Sequence, residues 1–143
     1  MSMNIAFFLS PKCNVAYLYD TYTLRQGLEK MRHHGYTAIP VLSKDNKYVG
    51  TISEGDFLWY IVDTEKEDLK RTNIKNFEDT RIKDVLRVDK NPPVRITATI
   101  EELLFMSMRQ SFIPVIDDLG TFIGIVTRKT IIEYFYNKTL KSE

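Results

Sequence analysis

The chain has 143 residues, 43% of them apolar, and a formal net charge of +1. At about 100–200 residues per domain, that is one domain or two small fused units with enough apolar surface for a core. A near-zero charge argues against binding a nucleic-acid backbone, which requires a basic excess. The single cysteine, Cys13, excludes a disulfide within the chain and a multi-thiolate zinc site, and it points to a reducing, cytoplasmic setting.

The longest apolar runs, residues 5–9 and 57–62, fall far short of the about 20 residues of a membrane span. No cationic residue precedes Ile5, and Lys12 directly precedes Cys13, so neither a secretory signal nor a lipoprotein cleavage site is expected. The N-terminus reads as an apolar lead-in that packs on the body. Val15-Ala16-Tyr17-Leu18-Tyr19 is a short β-rich run. Thr23 is placed to cap a helix whose Leu24, Leu28 and Met31 recur at i, i+4 and i+7, and Gly35 is placed to stop it. Residues 38–42 read as a buried strand, 44–47 as a turn and 48–52 as a returning strand. Ser53 then caps a helix carrying Phe57, Leu58 and Ile61.

Residues 63–90 hold eight acidic and eight basic side chains. The segment is too charged for core and too rich in helix formers for a flexible linker. Leu69, Ile74 and Phe77 suggest short helices lying on the body, and Ile82, Val85 and Leu86 lead into a second set of elements. That set reads as a strand at 94–96, a helix at 99–109, a strand at 112–116, a turn at 117–120, a strand at 121–126 and a helix at 128–137.

The order β-α-β-β-α thus occurs twice, and the residues repeat with it. Shifting residues 39–61 forward by 74 positions lays Ile39-Pro40-Val41 on Ile113-Pro114-Val115, Gly50 on Gly124 and Tyr60 on Tyr134. Upstream the offset becomes 76, where Thr21, Thr23 and Leu28 meet Thr97, Thr99 and Leu104. A long period present twice marks a fused pair rather than a solenoid. The expected fold is α/β (α+β): a first repeat at 9–62, a helical connector at 63–80 and a second repeat at 81–138, packed as a pseudo-two-fold pair.

Two copies of this order, with Gly35-Tyr36-Thr37-Ala38-Ile39-Pro40 and Gly50-Thr51-Ile52-Ser53-Glu54-Gly55-Asp56 in the first, resemble a tandem pair of CBS (cystathionine β-synthase) domains, the Bateman module. The resemblance covers roughly residues 9–138. More narrowly, the Gly-Tyr-Thr-Ala-Ile-Pro-Val-Leu and Gly124-Ile125-Val126-Thr127-Arg128-Lys129 strings are similar to stand-alone CBS pairs of Gram-positive bacteria that sense cyclic di-AMP. What this implies is a non-enzymatic adenine-nucleotide sensor that docks on a target enzyme, metabolic or stringent-response, when its ligand is absent. A sensor of AMP, ADP, ATP or S-adenosylmethionine, and a ligand-free dimeric scaffold, are the alternatives. No catalytic residue, metal or cofactor is expected, and neither nucleic acid nor membrane is expected as a partner.

The residues can be weighed for that role individually. An unpaired strand end offers the donor and acceptor that complement an adenine edge. Pro40, lacking an N–H, belongs where a ladder is interrupted. Ala16 and Ala38 are small enough for close approach, Tyr36 offers a ring face, and Thr37 adds a hydroxyl. The same run is also accounted for as simple strand packing. Thr127 opens the last helix, where free N–H groups favour an anion. Arg128 and Lys129 oppose the dipole of that helix, a conflict that a bound phosphate would relieve; solvated surface cations are the plainer account.

In the CBS family, the aspartate of the Ser/Thr-x-x-Asp motif holds ribose hydroxyls. Ser53 and Asp56 match that motif, although first-turn electrostatics alone would also place Asp56 there. The second repeat has Thr130 in place of the aspartate and Arg109 or Gln110 in place of the glycine. The resemblance implies two clefts, each mixing strands of one repeat with a helix start of the other. The preferred one comprises Asn14, Ala16, Tyr36, Thr37, Ala38 and Pro40 with Thr127, Arg128 and Lys129. The other comprises Arg95 and Phe112 with Ser53 and Asp56. His33 and His34 face different directions and make poor metal co-ligands, and Cys13 reads as a small buried residue. The helices at 57–62 and 131–136 are apolar over most of their surface, so a homodimer face is expected on them.

Overall fold

The two Ile-Pro-Val strings form interior strands of two separate sheets in a computed structural model that describes residues 4–67, 78–87 and 90–141. Leu69, Ile74 and Phe77 lie outside the described residues. The chain divides into two compact units, one of Ala16–Lys90 and one of Met1–Val15 with Asn91–Glu143.

In the unit of Ala16–Lys90 the elements are β2 (Leu18–Tyr19), α1 (Leu24–His34), β3 (Ala38–Leu42), β4 (Tyr48–Ser53), α2 (Glu54–Glu67) and the short α3 (Ile82–Val85). The expected strand at 15–19 shrinks to Leu18 and Tyr19, which pair parallel with Val41 and Leu42. β3 and β4 form an antiparallel hairpin from Ala38 opposite Ser53 to Leu42 opposite Tyr48. α1 starts on a reciprocal cap: Gln26 N–H donates to Thr23 Oγ1 at 3.2 Å, and Thr23 N–H donates to Gln26 Oε1 at 2.9 Å. It ends on Gly35 in the left-handed region at φ 69°. Its buried face is Leu24, Gly27 and Met31, while the expected Leu28 is 37% exposed. Gly27 takes the inner position because the helix lies too close to its neighbours for a larger side chain. A Cβ there would sit 2.7 Å from Ile82 Cδ1 and 3.2 Å from Leu18 Cδ1.

The other unit holds β1 (Ser10–Pro11), β5 (Val94–Arg95), α4 (Ile100–Ser107), β6 (Phe112–Ile116), β7 (Phe122–Thr127) and α5 (Arg128–Lys141). Its sheet order is β1-β7-β6-β5. β5 runs parallel to β6 in the register of the first sheet, with Val94 opposite Val115. Both hairpins carry the same irregularity, after Val41 and after Val115, opposite Gly50 and Gly124. These glycines have φ of 155° and 156°, a conformation open to glycine, so one backbone device is present twice.

Each unit is completed by the segment that precedes the other repeat in sequence. Ile82 is fully buried in one core with Leu18, Leu24, Ile39, Val41 and Phe57. Leu86 lies against Gly50 of that same unit. In the other unit, Ile5 and Phe8 are buried with Leu103, Ile113, Val115 and Ile131, and Ser10 lies directly against Gly124. The apolar lead-in therefore packs as expected. The 82–86 run, which leads into the second repeat, belongs to the core of the first. The helix expected at 99–109 closes at Ser107, and the last helix runs on to Lys141.

Two outcomes follow from this packing. Gly27→Ala should lower stability by about 1 kcal/mol in urea titration, overpacking outweighing the gain in helix propensity. In an Ile82→Val background, which removes the Cδ1 atom that a Cβ would strike, the loss should vanish; additive effects would show that 82 does not pack on α1. Secondly, burial pushes the Tyr48 phenol up to about 12, against the opposing pull of its hydrogen bond with Thr51. The folded state holds that proton more tightly than the unfolded chain, whose phenol titrates near its ordinary value of about 10. The associated stability is whole below pH 10 and is lost as pH rises toward 12. Tyr48→Phe should flatten the alkaline fall in unfolding free energy by about 1–2 kcal/mol across that window.

Candidate functional site

β2 covers only Val41 and Leu42 of β3, so among the described residues Ala38, Ile39 and Pro40 have a strand partner on the β4 side alone. That is the unpaired edge expected from the Pro40 position. Pro40 itself is buried opposite Thr51, so its contribution is to interrupt the ladder. Ala38 and Ala16 are half-buried, and Ala16 packs against the core of this unit. Tyr36 and Thr37 follow the left-handed cap of α1 and are exposed. The Tyr36 ring stacks on His34 with centroids 5.4 Å apart and planes 15° apart. Thr37 is fixed through its carbonyl, which accepts from Glu54 N–H at 2.9 Å where α2 begins. This unit thus presents an aromatic face, a hydroxyl and a bare strand edge within five consecutive residues, 36–40.

Asn14 lies in the other unit, exposed at the end of a 3-10 turn spanning Lys12–Asn14. Cys13 beside it is also exposed, with Sγ 3.8 Å from Asn14 Oδ1, and is not the buried residue expected. The turn leaves too little chain around it to cover the thiol.

In the same unit, Thr127 stands immediately before α5. Its Oγ1 accepts from Thr130 N–H at 3.1 Å and shares a hydrogen bond with the Thr130 hydroxyl at 2.7 Å. Arg128 resolves its conflict with the helix dipole locally. Its Nε donates to the Ser107 carbonyl at 2.7 Å, at the C-terminal end of α4, where a cation is favoured. Its backbone N–H donates to the Ser111 carbonyl at 2.9 Å. A bound anion is therefore not required to account for the charge. The two terminal nitrogens of the guanidinium have no protein partner among the described residues. Lys129 is largely exposed and lies 3.8 Å from Glu133 one turn on.

The alternative set is differently engaged. Ser53 and Asp56 form a reciprocal cap on α2, with Ser53 N–H donating to Asp56 Oδ2 at 2.8 Å and Asp56 N–H donating to Ser53 Oγ at 3.3 Å. Asp56 is buried, and Lys90 Nζ closes on its Oδ1 at 3.2 Å and on Ser53 Oγ at 3.1 Å. Sequence reading missed Lys90, which lies at the end of the charged 63–90 segment with nothing to single it out. Arg95 is exposed, 3.9 Å from Asp118, and pairs opposite Ile116 rather than near Phe112. Phe112 is buried at the start of β6. A further residue is Gln110, buried just before β6: its Nε2 donates to the Pro92 carbonyl at 3.2 Å, while Oε1 has no partner. A polar residue where the first repeat has Tyr36 is the signal that could have found it. His33 and His34 are exposed edge-to-face neighbours, and no group of potential metal ligands occurs among the described residues. No helix among them is long and apolar enough to cross a membrane.

A family model described as the CBS domain matches residues 9–63 and again residues 79–137. The solved structure of CbpB in complex with cyclic di-AMP superposes with a TM-score of 0.86 at 27% identity, covering 98% of this chain and 88% of that one. A CBS domain protein from Streptococcus pneumoniae superposes with a TM-score of 0.83 at 30% identity, covering 94% of this chain and 87% of that one. An uncharacterized protein of Methanocaldococcus jannaschii is 29% identical over 142 residues, 81% of this chain and 83% of its own length.

The geometry around Asp56 makes a stability prediction. Asp56→Ala removes the reciprocal half of a cap and leaves Lys90 without its buried partner, so urea unfolding should show a loss of about 1–3 kcal/mol. A loss below about 0.5 kcal/mol, the usual surface value, would show that the cap does not hold α2.

Proposed function

The chain belongs to the CBS-domain family, as a tandem pair with the character of a regulatory module, and on that premise we propose that it senses cyclic di-AMP and thereby controls docking on a target enzyme. The ligand set of this reading is Asn14, Ala16, Tyr36, Thr37, Ala38 and Pro40 with Thr127, Arg128 and Lys129. The carrying observation is Arg128, held at Nε by the Ser107 carbonyl so that its terminal nitrogens are oriented and unspent. Such a pre-set fork suits a phosphodiester, which it can grip through two parallel hydrogen bonds. Thr127 adds a hydroxyl at the head of α5, and the bare edge of Ala38–Pro40 supplies backbone to an adenine.

Among adenine nucleotides, two features favour the cyclic dinucleotide. The second repeat has Thr130 where the first has Asp56, so its helix start lacks the motif carboxylate that would bind a free ribose diol. In cyclic di-AMP the 3′ oxygen is esterified and that diol does not exist. Asp56 itself is committed to its cap and to Lys90, which weighs against AMP, ADP, ATP or S-adenosylmethionine on Arg95, Phe112, Ser53 and Asp56. The likeness to CbpB, solved with cyclic di-AMP, supports the same choice. A sensor of this kind works by binding ligand and partner with different affinities in two states, without catalysis. The reading places it in the cytoplasm as a homodimer. Leu58 and Trp59 of α2, and Ile132 and Tyr136 of α5, are the exposed apolar residues that this reading offers to the second copy.

Calorimetry and thermal shift with cyclic di-AMP, AMP, ADP, ATP and S-adenosylmethionine test this. Cyclic di-AMP should bind tightest, adding about 2.7 kcal/mol of stability at 100 times its dissociation constant. Arg128→Ala should weaken binding tenfold or more, the scale of about 1.5–3 kcal/mol for charged hydrogen bonds. Asp56→Asn should leave affinity within threefold. Tighter binding of AMP or ATP, or the reverse pattern in the two variants, would overturn the reading.

A further inference from the structure

The second repeat carries an open groove of about 680 Å³, and the same place in the first repeat is filled by the chain itself. In the first repeat, Tyr17, Tyr19 and Tyr22 pack edge to face, each successive pair of centroids 5.6 Å apart. The Lys30 ammonium donates to the Tyr17 carbonyl at 2.6 Å and lies 5.3 Å from the centre of the Tyr17 ring and 6.0 Å from that of Tyr22. The 76-residue offset that lays Thr23 on Thr99 also lays Tyr17 on Pro93, Tyr19 on Arg95, Tyr22 on Ala98 and Lys30 on Met106. These four replacements line the groove, together with Phe105. Three rings and an ammonium have thus been exchanged for smaller or differently charged groups on the same backbone, and the space they filled is open.

The remaining lining says what could fill it. Glu101 and Glu102, in the first turn of α4, border the groove. Both are exposed, and neither has a cationic partner among the described residues. The Pro92 carbonyl at the opposite side is held by buried Gln110. The site is therefore an apolar floor bordered by two glutamates and by Arg95, whose guanidinium lies 3.9 Å from Asp118. We propose that it docks a peptide segment of a partner protein in which an aromatic side chain lies beneath a lysine or arginine, reproducing the tyrosine–lysine arrangement of the first repeat. The ring would lie on Ala98 and Met106, where apolar burial favours it, beside Phe105, whose own ring has the Arg109 guanidinium 5.2 Å from its centre. The cation would face Glu101 and Glu102, where complementary charge selects and steers it. The proposal takes from the preceding reading only that the chain docks on a protein, and it does not depend on the nucleotide.

Titration of the ¹⁵N-labelled full chain with the amidated tripeptide Lys-Tyr-Lys tests it, with Glu-Tyr-Glu as the control. Lys-Tyr-Lys should give saturable shifts at the amides of Val94, Ala98, Phe105 and Met106, and Glu-Tyr-Glu should bind at least tenfold more weakly. Ala98→Tyr, which installs the counterpart of Tyr22, should abolish the shifts while leaving the affinity for cyclic di-AMP unchanged. Glu101→Lys, a surface change that spares the floor, should weaken the tripeptide tenfold. Absence of saturation, equal binding of the two peptides, persistence in both variants, or displacement by cyclic di-AMP would overturn the proposal, the last by assigning the groove to the nucleotide. Loss of nucleotide binding in the wild type alone would overturn the sensor reading and leave this one standing.

Discussion

Everything in this chain depends on closing two small cores with apolar side chains borrowed across the duplication. Ile82 completes the core of the first repeat, and Ile5 with Phe8 completes that of the second. A unit of 60–70 residues buries only about 60% of its unfolded surface and is marginal by itself, so two or three fully buried side chains are a large share of its stability. Gly27 and Gly124 are the fitted surfaces that receive these segments. One admits Ile82, and the other lies against the backbone of Ser10. The first core is assembled within the continuous stretch Ala16–Lys90, whereas the second joins the N-terminal residues to a stretch that begins at Asn91.

That closure leaves the chemistry at the sheet edges and helix starts. Among the described residues β3 is paired on both sides only at Val41 and Leu42, so its first three residues keep one edge without a strand partner beside Tyr36 and Thr37. β6 has the same one-sided start, since β5 reaches only Val115 and Ile116. The head of α5 is set by Thr127, and its first cation is tied to the end of α4 through Ser107. In this way the dipoles of two helices hold one arginine, a C-terminus attracting it while an N-terminus offers its N–H groups to an anion.

Duplication supplied one scaffold, and divergence of a few side chains made the halves chemically different. The first repeat caps α2 with a carboxylate held by Lys90; the second caps α5 with two hydroxyls. The first fills its outer groove with tyrosines and a lysine, and the second leaves that groove open, bordered by two glutamates and by Arg95. The backbone devices that shape the sheets, the bulges at Gly50 and Gly124, are unchanged between them. Such a division is expected when stability rests on shared strands and function rests on loops and helix ends.

By itself the amino-acid sequence determined the duplication, the β-α-β-β-α order, the caps at Thr23 and Gly35 and the candidate strings around Ile-Pro-Val and Thr127-Arg128, because periodicity, capping chemistry and repeated identities are local. Which core received Ile82, why Gly27 rather than Leu28 lies inward, that Cys13 is exposed and that Arg128 leans on Ser107 were decided only by the tertiary structure. Each of these rests on a partner distant in the chain or on the small distance between packed elements. An apolar or charged residue advertises in its sequence that it needs a partner; the partner's identity is settled only when the chain folds back on itself.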